Sequence, residues 1–207
     1  MKKVLLFDYD GVIVNSLPVI TRVYNRLFEK YNLNLHYTQE EFSMFYIDNF
    51  HKSLAKKAPA DLLLTILKEK GEEFIRCKNE FKLFPGIRAV LVKLADRCEV
   101  IIISSNTTEL IKQSMKLNRL DFIGEVIGGD IEPSKVKKIN AQKNKHPGSE
   151  LLYIGDTVGD INEAKKAGVA TVAVTWGFHS KELLEKEKPD YLFDRPEDLL
   201  ILMRFSS

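Results

Sequence analysis

Apolar residues follow two patterns along this chain: continuous runs of up to five residues, and longer stretches with helical spacing. A short continuous run bounded by turn residues is typical of a strand buried on both faces of a parallel sheet. Strands are predicted for a first run that ends near Asp8 and for 100–103, 126–127, 151–154, 170–174 and 191–193. Helices are predicted over 87–96, 107–117, 135–143 and 160–167, the last closed by Gly168. This alternation predicts right-handed crossovers and a parallel sheet with helices on both faces.

The segment between the first two predicted strands differs, because it carries only helical signals. Ser16 is the predicted N-cap of its first helix, with Pro18 in the first turn. Helical patterns cover 17–31, start again at Thr38, and continue over about 54–68 and 72–81, with Pro59 as a candidate break. We therefore expect a helical insertion of residues 15–84 in an α/β core of residues 1–14 and 85–207.

Composition limits the class of function without deciding it. The 207 residues are 44% hydrophobic and 29% charged, which is ordinary for a chain with a buried core. The formal net charge of +2 does not favour nucleic acid or an anionic membrane as the main partner. Two distant cysteines predict neither a disulfide framework nor a zinc site, and the four histidines lack metal-ligand spacing. With neither a signal peptide nor a membrane span recognisable, the expected location is cytoplasmic.

Two pairs of aspartates follow apolar runs that are far apart in the sequence. Asp8 and Asp10 follow the first run, and Asp156 and Asp160 follow the run at 151–154. Because the C-terminal ends of parallel strands meet where open α/β sheets bind ligands, we expect these carboxylates to lie together. Gathered acids need a shared cation, and oxygen ligands favour Mg²⁺. For either pair alone, the alternative is an ordinary turn or helix-capping role.

Smaller polar signals follow other predicted strands. Ser104, Ser105 and Asn106 come directly after the run at 100–103, where they could bind an anion or cap the next helix. Lys135 lies at a predicted helix start after the third strand, and it is the lysine expected to face the acids. The alternative for Lys135 is a solvated surface charge, because most lysines are solvated and Lys137, Lys138, Lys143 and Lys145 lie close by.

The order of these signals resembles the four motifs of the haloacid dehalogenase-like hydrolase superfamily. The matching segments are Asp8-Tyr9-Asp10-Gly11-Val12, Ser104, Lys135 and Gly155-Asp156-Thr157-Val158-Gly159-Asp160. The resemblance spans essentially the whole chain and implies a Rossmann-like three-layer α/β core with an inserted helical cap. Within the superfamily, the position of the insertion resembles the phosphoglycolate phosphatase and β-phosphoglucomutase branch.

The resemblance also implies catalytic roles. Asp8 would be the nucleophile that forms an aspartyl phosphate, and Asp10 the general acid and base. Mg²⁺ would bind to Asp8, to the backbone carbonyl of Asp10 and to Asp156. Asp160 would act through a water or a neighbouring ligand, with a helix N-cap as its alternative role.

The remaining motif residues would bind the phosphoryl group. Lys135 would neutralise its charge, the Ser104 hydroxyl would donate to one of its oxygens, and the amides of Ser105 and Asn106 would complete the cradle.

The implied activity is Mg²⁺-dependent hydrolysis of a small phosphorylated metabolite such as phosphoglycolate. A sugar phosphomutase would share the same core residues, but the segment 46–54 lacks the arginine expected of β-phosphoglucomutase caps. A non-catalytic module that binds a phosphorylated ligand is the third alternative. It is disfavoured because all four catalytic positions are occupied.

Overall fold

The computed structural model describes residues 3–47, 50–57 and 59–203. The strands are β1 (Lys3–Phe7), β2 (Val14–Asn15), β3 (Lys82–Leu83), β4 (Glu99–Ile103), β5 (Glu125–Ile127), β6 (Glu150–Gly155), β7 (Ala170–Val174) and β8 (Tyr191–Phe193). The α-helices are α1 (Leu17–Lys30), α2 (Gln39–Ser43), α3 (Phe50–Ala55), α4 (Ala60–Arg76), α5 (Ile87–Ala95), α6 (Thr108–Leu117), α7 (Lys135–Lys145), α8 (Val158–Ala167) and α9 (Lys181–Lys186). Short 3₁₀ helices cover Met44–Tyr46, Lys78–Glu80 and Pro196–Met203. No described helix has both the length and the apolar character needed to cross a membrane.

A parallel sheet of six strands forms the centre of the fold, in the order β5-β4-β1-β6-β7-β8. Every residue of β1 is buried, because helices cover both faces of the sheet. Leu5 and Phe7 pack into the core on one face, whereas Val4 and Leu6 pack into a separate core on the other. Full burial of one such side chain contributes about 1.5–3 kcal/mol to the free energy of unfolding. The predicted α/β fold with a parallel sheet and helices on both sides is confirmed.

The helices between β1 and β4 differ in detail from the sequence-based prediction. The two patterns predicted over 54–68 and 72–81 were wrong, because one helix, α4, runs from Ala60 to Arg76. Ile66 and Phe74, two turns apart on α4, are both buried. Their packing outweighs the cost of about 1 kcal/mol for Gly71 in the helix interior. Pro59 lies between α3 and α4, so the candidate break at this residue is confirmed.

A two-stranded antiparallel ribbon joins the ends of the helical insertion, and the sequence analysis missed it. Val14 of β2 pairs with Leu83 of β3, and Asn15 pairs with Lys82. Strands of two residues are too short to show an alternating pattern. Ser16 precedes α1 as predicted, but its side chain makes no capping hydrogen bond. The division of the chain into a core and a cap of residues 15–84, called the cap segment below, stays a prediction.

The Lys138 side chain links the ends of the neighbouring strands β4 and β5. Lysines are usually solvated, but only 1% of this residue is exposed. Its ammonium donates hydrogen bonds to the carbonyl oxygens of Ser104 (2.5 Å) and Gly128 (3.2 Å), which follow β4 and β5. Burial lowers its pKa from 10.5 to about 8. The side chain therefore supplements the backbone hydrogen bond from the Ser104 amide to the Ile127 oxygen (3.1 Å), which already joins the ends of these strands.

We expect Lys138→Met to lower the free energy of unfolding by about 2 kcal/mol, because the two carbonyls would lose a charged donor. Lys137→Met is the matched control, because Lys137 is exposed on the same helix. Its effect should stay within about 0.5 kcal/mol. Urea denaturation followed by circular dichroism measures both variants, and equal stability of Lys138→Met and the unchanged protein would contradict this role.

Candidate active site

Three buried carboxylates meet at the C-terminal edge of the sheet. Asp8 follows β1, and Asp156 follows the neighbouring strand β6. Phe7 pairs with Ile154 in the parallel register, so both strands end at the same edge of the sheet. Asp160 lies in the first turn of α8 and points back to the same place. One carboxylate oxygen from each of the three lies within 4.8 Å of the other two. These three residues are called the acid cluster below.

Lys135 enters the acid cluster from the start of α7. Its ammonium donates hydrogen bonds to Oδ2 of Asp8 (2.8 Å) and to Oδ1 of Asp160 (2.6 Å). Burial alone would lower the pKa of Lys135, but the charges of Asp160 and Asp8 outweigh it and raise the pKa well above its usual value. Lys135 is therefore a fixed positive charge beside Asp8.

The acid cluster carries more negative charge than Lys135 can balance. Burial raises the pKa of Asp8 from 3.8 to about 7, against the opposing effect of Lys135. Burial, together with the charges of Asp160 and Asp8, also raises the pKa of Asp156. Three ionised carboxylates and one ammonium would leave a charge of −2. A divalent cation would remove this excess.

Asp156 has a free carboxylate oxygen, and two glycines pack closely against its side chain. Its Oδ2 accepts a hydrogen bond from the Phe178 amide (2.7 Å), whereas its buried Oδ1 has no hydrogen-bond partner among the described residues. Gly11, at a φ of +76°, and Gly177 both approach it closely. A Cβ at either glycine would lie 2.3 Å or less from Oδ2 of Asp156. The all-oxygen donor set and this orphaned atom fit a hard ion such as Mg²⁺.

Asp160 already has four hydrogen-bond donors around its carboxylate. Oδ1 accepts from Lys135 and from the Tyr153 hydroxyl (3.2 Å), and Oδ2 accepts from the amide (3.2 Å) and hydroxyl (2.7 Å) of Thr157. Burial would raise its pKa, but Lys135 and these donors lower it. Thr157, not Asp160, is the N-cap of α8, and Asp160 completes the capping box. The alternative of Asp160 as N-cap was therefore wrong.

Asp10 points away from the acid cluster, into a different set of contacts. Its Oδ2 accepts a hydrogen bond from the Asn106 side-chain amide (2.7 Å) and a longer one from the Ser104 hydroxyl (3.4 Å). Its Oδ1 is buried and finds no partner in the described part of the chain. Burial raises its pKa above the usual value. The environments of Asp8 and Asp10 therefore differ, since Asp8 accepts from Lys135, whereas Asp10 accepts from Asn106.

The residues that follow β4 have two roles: some support the local structure, and others line the cavity. Ser104 is fully buried, and its hydroxyl accepts a hydrogen bond from the Asn106 amide (3.1 Å). Ser105 and Asn106 line the cavity that opens above the acid cluster, whereas Ser104 lies behind them. Thr107 caps α6, with its hydroxyl accepting from the Leu110 amide (3.4 Å). Asn106 is therefore not the cap and remains directed at Asp10.

The cap segment covers the cavity with aromatic residues and one lysine. Its lining residues from this segment are Ile20, Tyr24, Tyr46, Phe50, Lys70 and Phe74. Lys70 makes no hydrogen bond or ion pair with any other described residue, and its ammonium lies 5.0 Å from the centre of the Phe74 ring. Burial lowers its pKa, and the charge of Asp10 partly opposes this effect. The sequence analysis missed Lys70, although its spacing of four from Ile66 and Phe74 places it on the apolar face of α4.

Known proteins match this chain over most of its length. A phosphoglycolate phosphatase of Synechococcus elongatus is 29% identical over 206 residues, which cover 95% of this chain and 94% of that protein. A pyrophosphatase PpaX of Oceanobacillus iheyensis is 26% identical, with 97% and 96% covered. A haloacid dehalogenase-like family protein from Streptococcus pneumoniae shares the fold, with a TM-score of 0.85, 23% identity and 98% and 99% coverage. A hydrolase from Pseudomonas syringae does so with a TM-score of 0.81, 18% identity and 98% coverage of both chains.

A family model for haloacid dehalogenase-like hydrolases matches residues 5–174. This match begins within β1 and includes Asp8 and Asp10, the loop after β4, Lys135, and the loop after β6. It confirms the resemblance drawn from the four motifs and the expectation of a hydrolytic enzyme. The chain belongs to the haloacid dehalogenase-like hydrolase family.

Proposed function

We propose that this protein is a Mg²⁺-dependent phosphatase that hydrolyses a small phosphomonoester through an aspartyl phosphate at Asp8. The observation that carries the proposal is the acid cluster with its excess negative charge, beside Lys135 and next to a separately held Asp10. A cytoplasmic location belongs to the same proposal. The names of the relatives, a phosphoglycolate phosphatase and a pyrophosphatase, support the phosphatase activity.

The first step needs a carboxylate to attack an anionic phosphoryl group. Asp8 is held in place by Lys135 at Oδ2 and by the Tyr9 amide at Oδ1 (2.8 Å). Lys135 reduces the repulsion between nucleophile and phosphate, and it holds Asp8 in one orientation. Mg²⁺, when bound by Asp8, Asp156 and the backbone carbonyl of Asp10, would supply further positive charge for the attack.

Asp10 would move the protons in both steps. In the first step its protonated carboxyl gives a proton to the leaving oxygen while the bond from Asp8 to phosphorus forms. In the second step the carboxylate takes a proton from the water that hydrolyses the aspartyl phosphate, which releases inorganic phosphate and restores Asp8. Burial raises the pKa of Asp10, which suits a group that must be protonated near neutral pH.

Lys70 favours a substrate with a second negative group. The aromatic rings around its ammonium would exclude water from a bound ligand, which strengthens an ionic contact. Phosphoglycolate carries a carboxylate beside its phosphate, and pyrophosphate carries a second phosphate. The names of the relatives fit this substrate class, and phosphoglycolate is the first substrate to test.

We expect Asp8→Asn to fold normally and to lose turnover by a factor of about 1,000 or more, because an amide is not a competent nucleophile. Phosphate release from phosphoglycolate measures the effect. Asp96→Asn is the control, because Asp96 is exposed at the end of α5. Near-normal turnover in Asp8→Asn would refute the proposed intermediate.

Removal of Mg²⁺ should abolish turnover and lower the melting temperature most at neutral pH. The raised pKa of Asp8 means that its protonated form stabilises the metal-free fold at acidic pH, and this contribution is lost as the pH rises from 3.8 through about 7. Mg²⁺ binds the ionised carboxylates and should restore several degrees at about pH 7.5, but less at about pH 5.5. Thermal unfolding in EDTA, with and without added Mg²⁺, tests this expectation. A chelated enzyme with full activity would contradict the metal requirement.

Lys70→Met should reduce kcat/KM for phosphoglycolate by about 10-fold to 100-fold, because a charged hydrogen bond in a dry cavity would be lost. The loss for p-nitrophenyl phosphate, which has no second acidic group, should be much smaller. Lys68→Met is the matched control, because Lys68 is exposed on the same helix. Equal losses for both substrates would show that Lys70 does not read a second negative group.

A further inference from the structure

The loop after β7 contacts the acid cluster through its backbone. The amide of Phe178 donates to Oδ2 of Asp156 (2.7 Å), and the amide of His179 donates to the backbone oxygen of the same residue (3.3 Å). Asp156 is thus oriented by two successive residues of this loop. Any displacement of the loop would also displace a carboxylate proposed to hold the metal.

The same loop contacts the cap segment through its side chains. The ring of Phe178 packs edge-on against Tyr46, with centroids 5.2 Å apart. The indole of Trp176 donates to the carbonyl of Val12 (3.1 Å), just before the chain enters the cap segment. The loop therefore contacts the cap segment at Tyr46 and the core at Val12, close to the start of the cap segment.

His179 joins the two sides with one imidazole ring. The amide of Val158, at the first residue of α8, donates to Nδ1 of His179 (2.9 Å), and Nε2 lies 2.9 Å from the carbonyl of Ser43 at the end of α2. Because Nδ1 accepts a hydrogen bond, the ring proton belongs on Nε2, which donates to Ser43. Only 2% of His179 is exposed. An apolar side chain at this position would leave a buried amide and a buried carbonyl without partners.

We propose that His179 is a positioning residue that fastens the cap segment in its closed position over the acid cluster. Nε2 holds the cap segment at Ser43, Nδ1 holds the start of α8, and the backbone of the same residue holds Asp156. Closure of the cap segment and the orientation of Asp156 therefore depend on each other. This inference rests on the proposed function for its catalytic meaning, but the contact itself can be tested without any substrate.

Two conservative substitutions separate the two halves of the contact. Glutamine at position 179 carries an amide nitrogen where histidine has Nε2, so His179→Gln keeps the donor to Ser43. Asparagine carries an oxygen where histidine has Nδ1, so His179→Asn keeps the acceptor for Val158 and loses the donor to the cap segment. His179→Leu removes both.

Hydrogen exchange of the ligand-free protein, followed by mass spectrometry, tests the contact directly. In His179→Asn and His179→Leu we expect exchange of the 39–46 peptide to be at least about 10-fold faster than in the unchanged protein. In His179→Gln it should stay within about threefold, and the buried β4 peptide should be unaffected in all three. If His179→Leu does not fold, the comparison of His179→Gln with His179→Asn still tests the contact. The proposal would be overturned if the 39–46 peptide exchanged equally fast in His179→Gln and His179→Asn. It would also be overturned if exchange of the β4 peptide accelerated to the same extent.

Steady-state kinetics connects the contact to turnover. We expect kcat/KM for phosphoglycolate to fall by about 10-fold in His179→Asn and to recover in His179→Gln, with a smaller change for p-nitrophenyl phosphate. A similar loss in both variants would overturn the link to catalysis. If the unchanged protein hydrolysed no phosphomonoester, the proposed function would fail, while the exchange experiment would still decide the role of His179.

Discussion

The burial of several carboxylates at one sheet edge is the constraint on which the site depends. An ionised carboxylate is costly to bury unless it is paired, and Lys135 pairs with only two of the three members of the acid cluster. Asp156 is left with one amide donor at Oδ2 and, among the described residues, no partner for Oδ1. The parallel register of β1 with β6 enforces this arrangement, because both strands end at the same level. An edge of this kind therefore favours a divalent cation, which the proposed phosphatase mechanism requires.

The cover over this edge strengthens the ionic contacts beneath it. The aromatic side chains of the cap segment replace water above Asp8 and Asp10, which lowers the local dielectric constant and strengthens each ionic contact. In the role proposed for His179, the cap segment opens to admit substrate and then returns to one position. The hydrogen bond from His179 to Ser43 is a specific contact for that return, because it joins a buried ring to a buried carbonyl.

The sequence predicted the parts of the fold and site that depend on local pattern. Apolar runs located the main strands, and the acid pairs lay at their ends because a strand's direction fixes where its last residues point. The ribbon of β2 and β3 was missed, since two residues carry no periodic signal. Lys138, Lys70 and His179 were missed for another reason. Each has an ordinary surface residue type, and only tertiary packing decides that its helix face or loop is buried.

Three lysines of this chain show how the environment changes the pKa of one residue type. Lys135 has carboxylate partners, and its pKa rises. Lys138 has only carbonyl partners and its pKa falls to about 8, so it supports the strand ends. Lys70 has neither kind of partner among the residues described, yet it faces the cavity from the cap segment. A ligand that carries a second negative group would give the Lys70 ammonium an anionic partner.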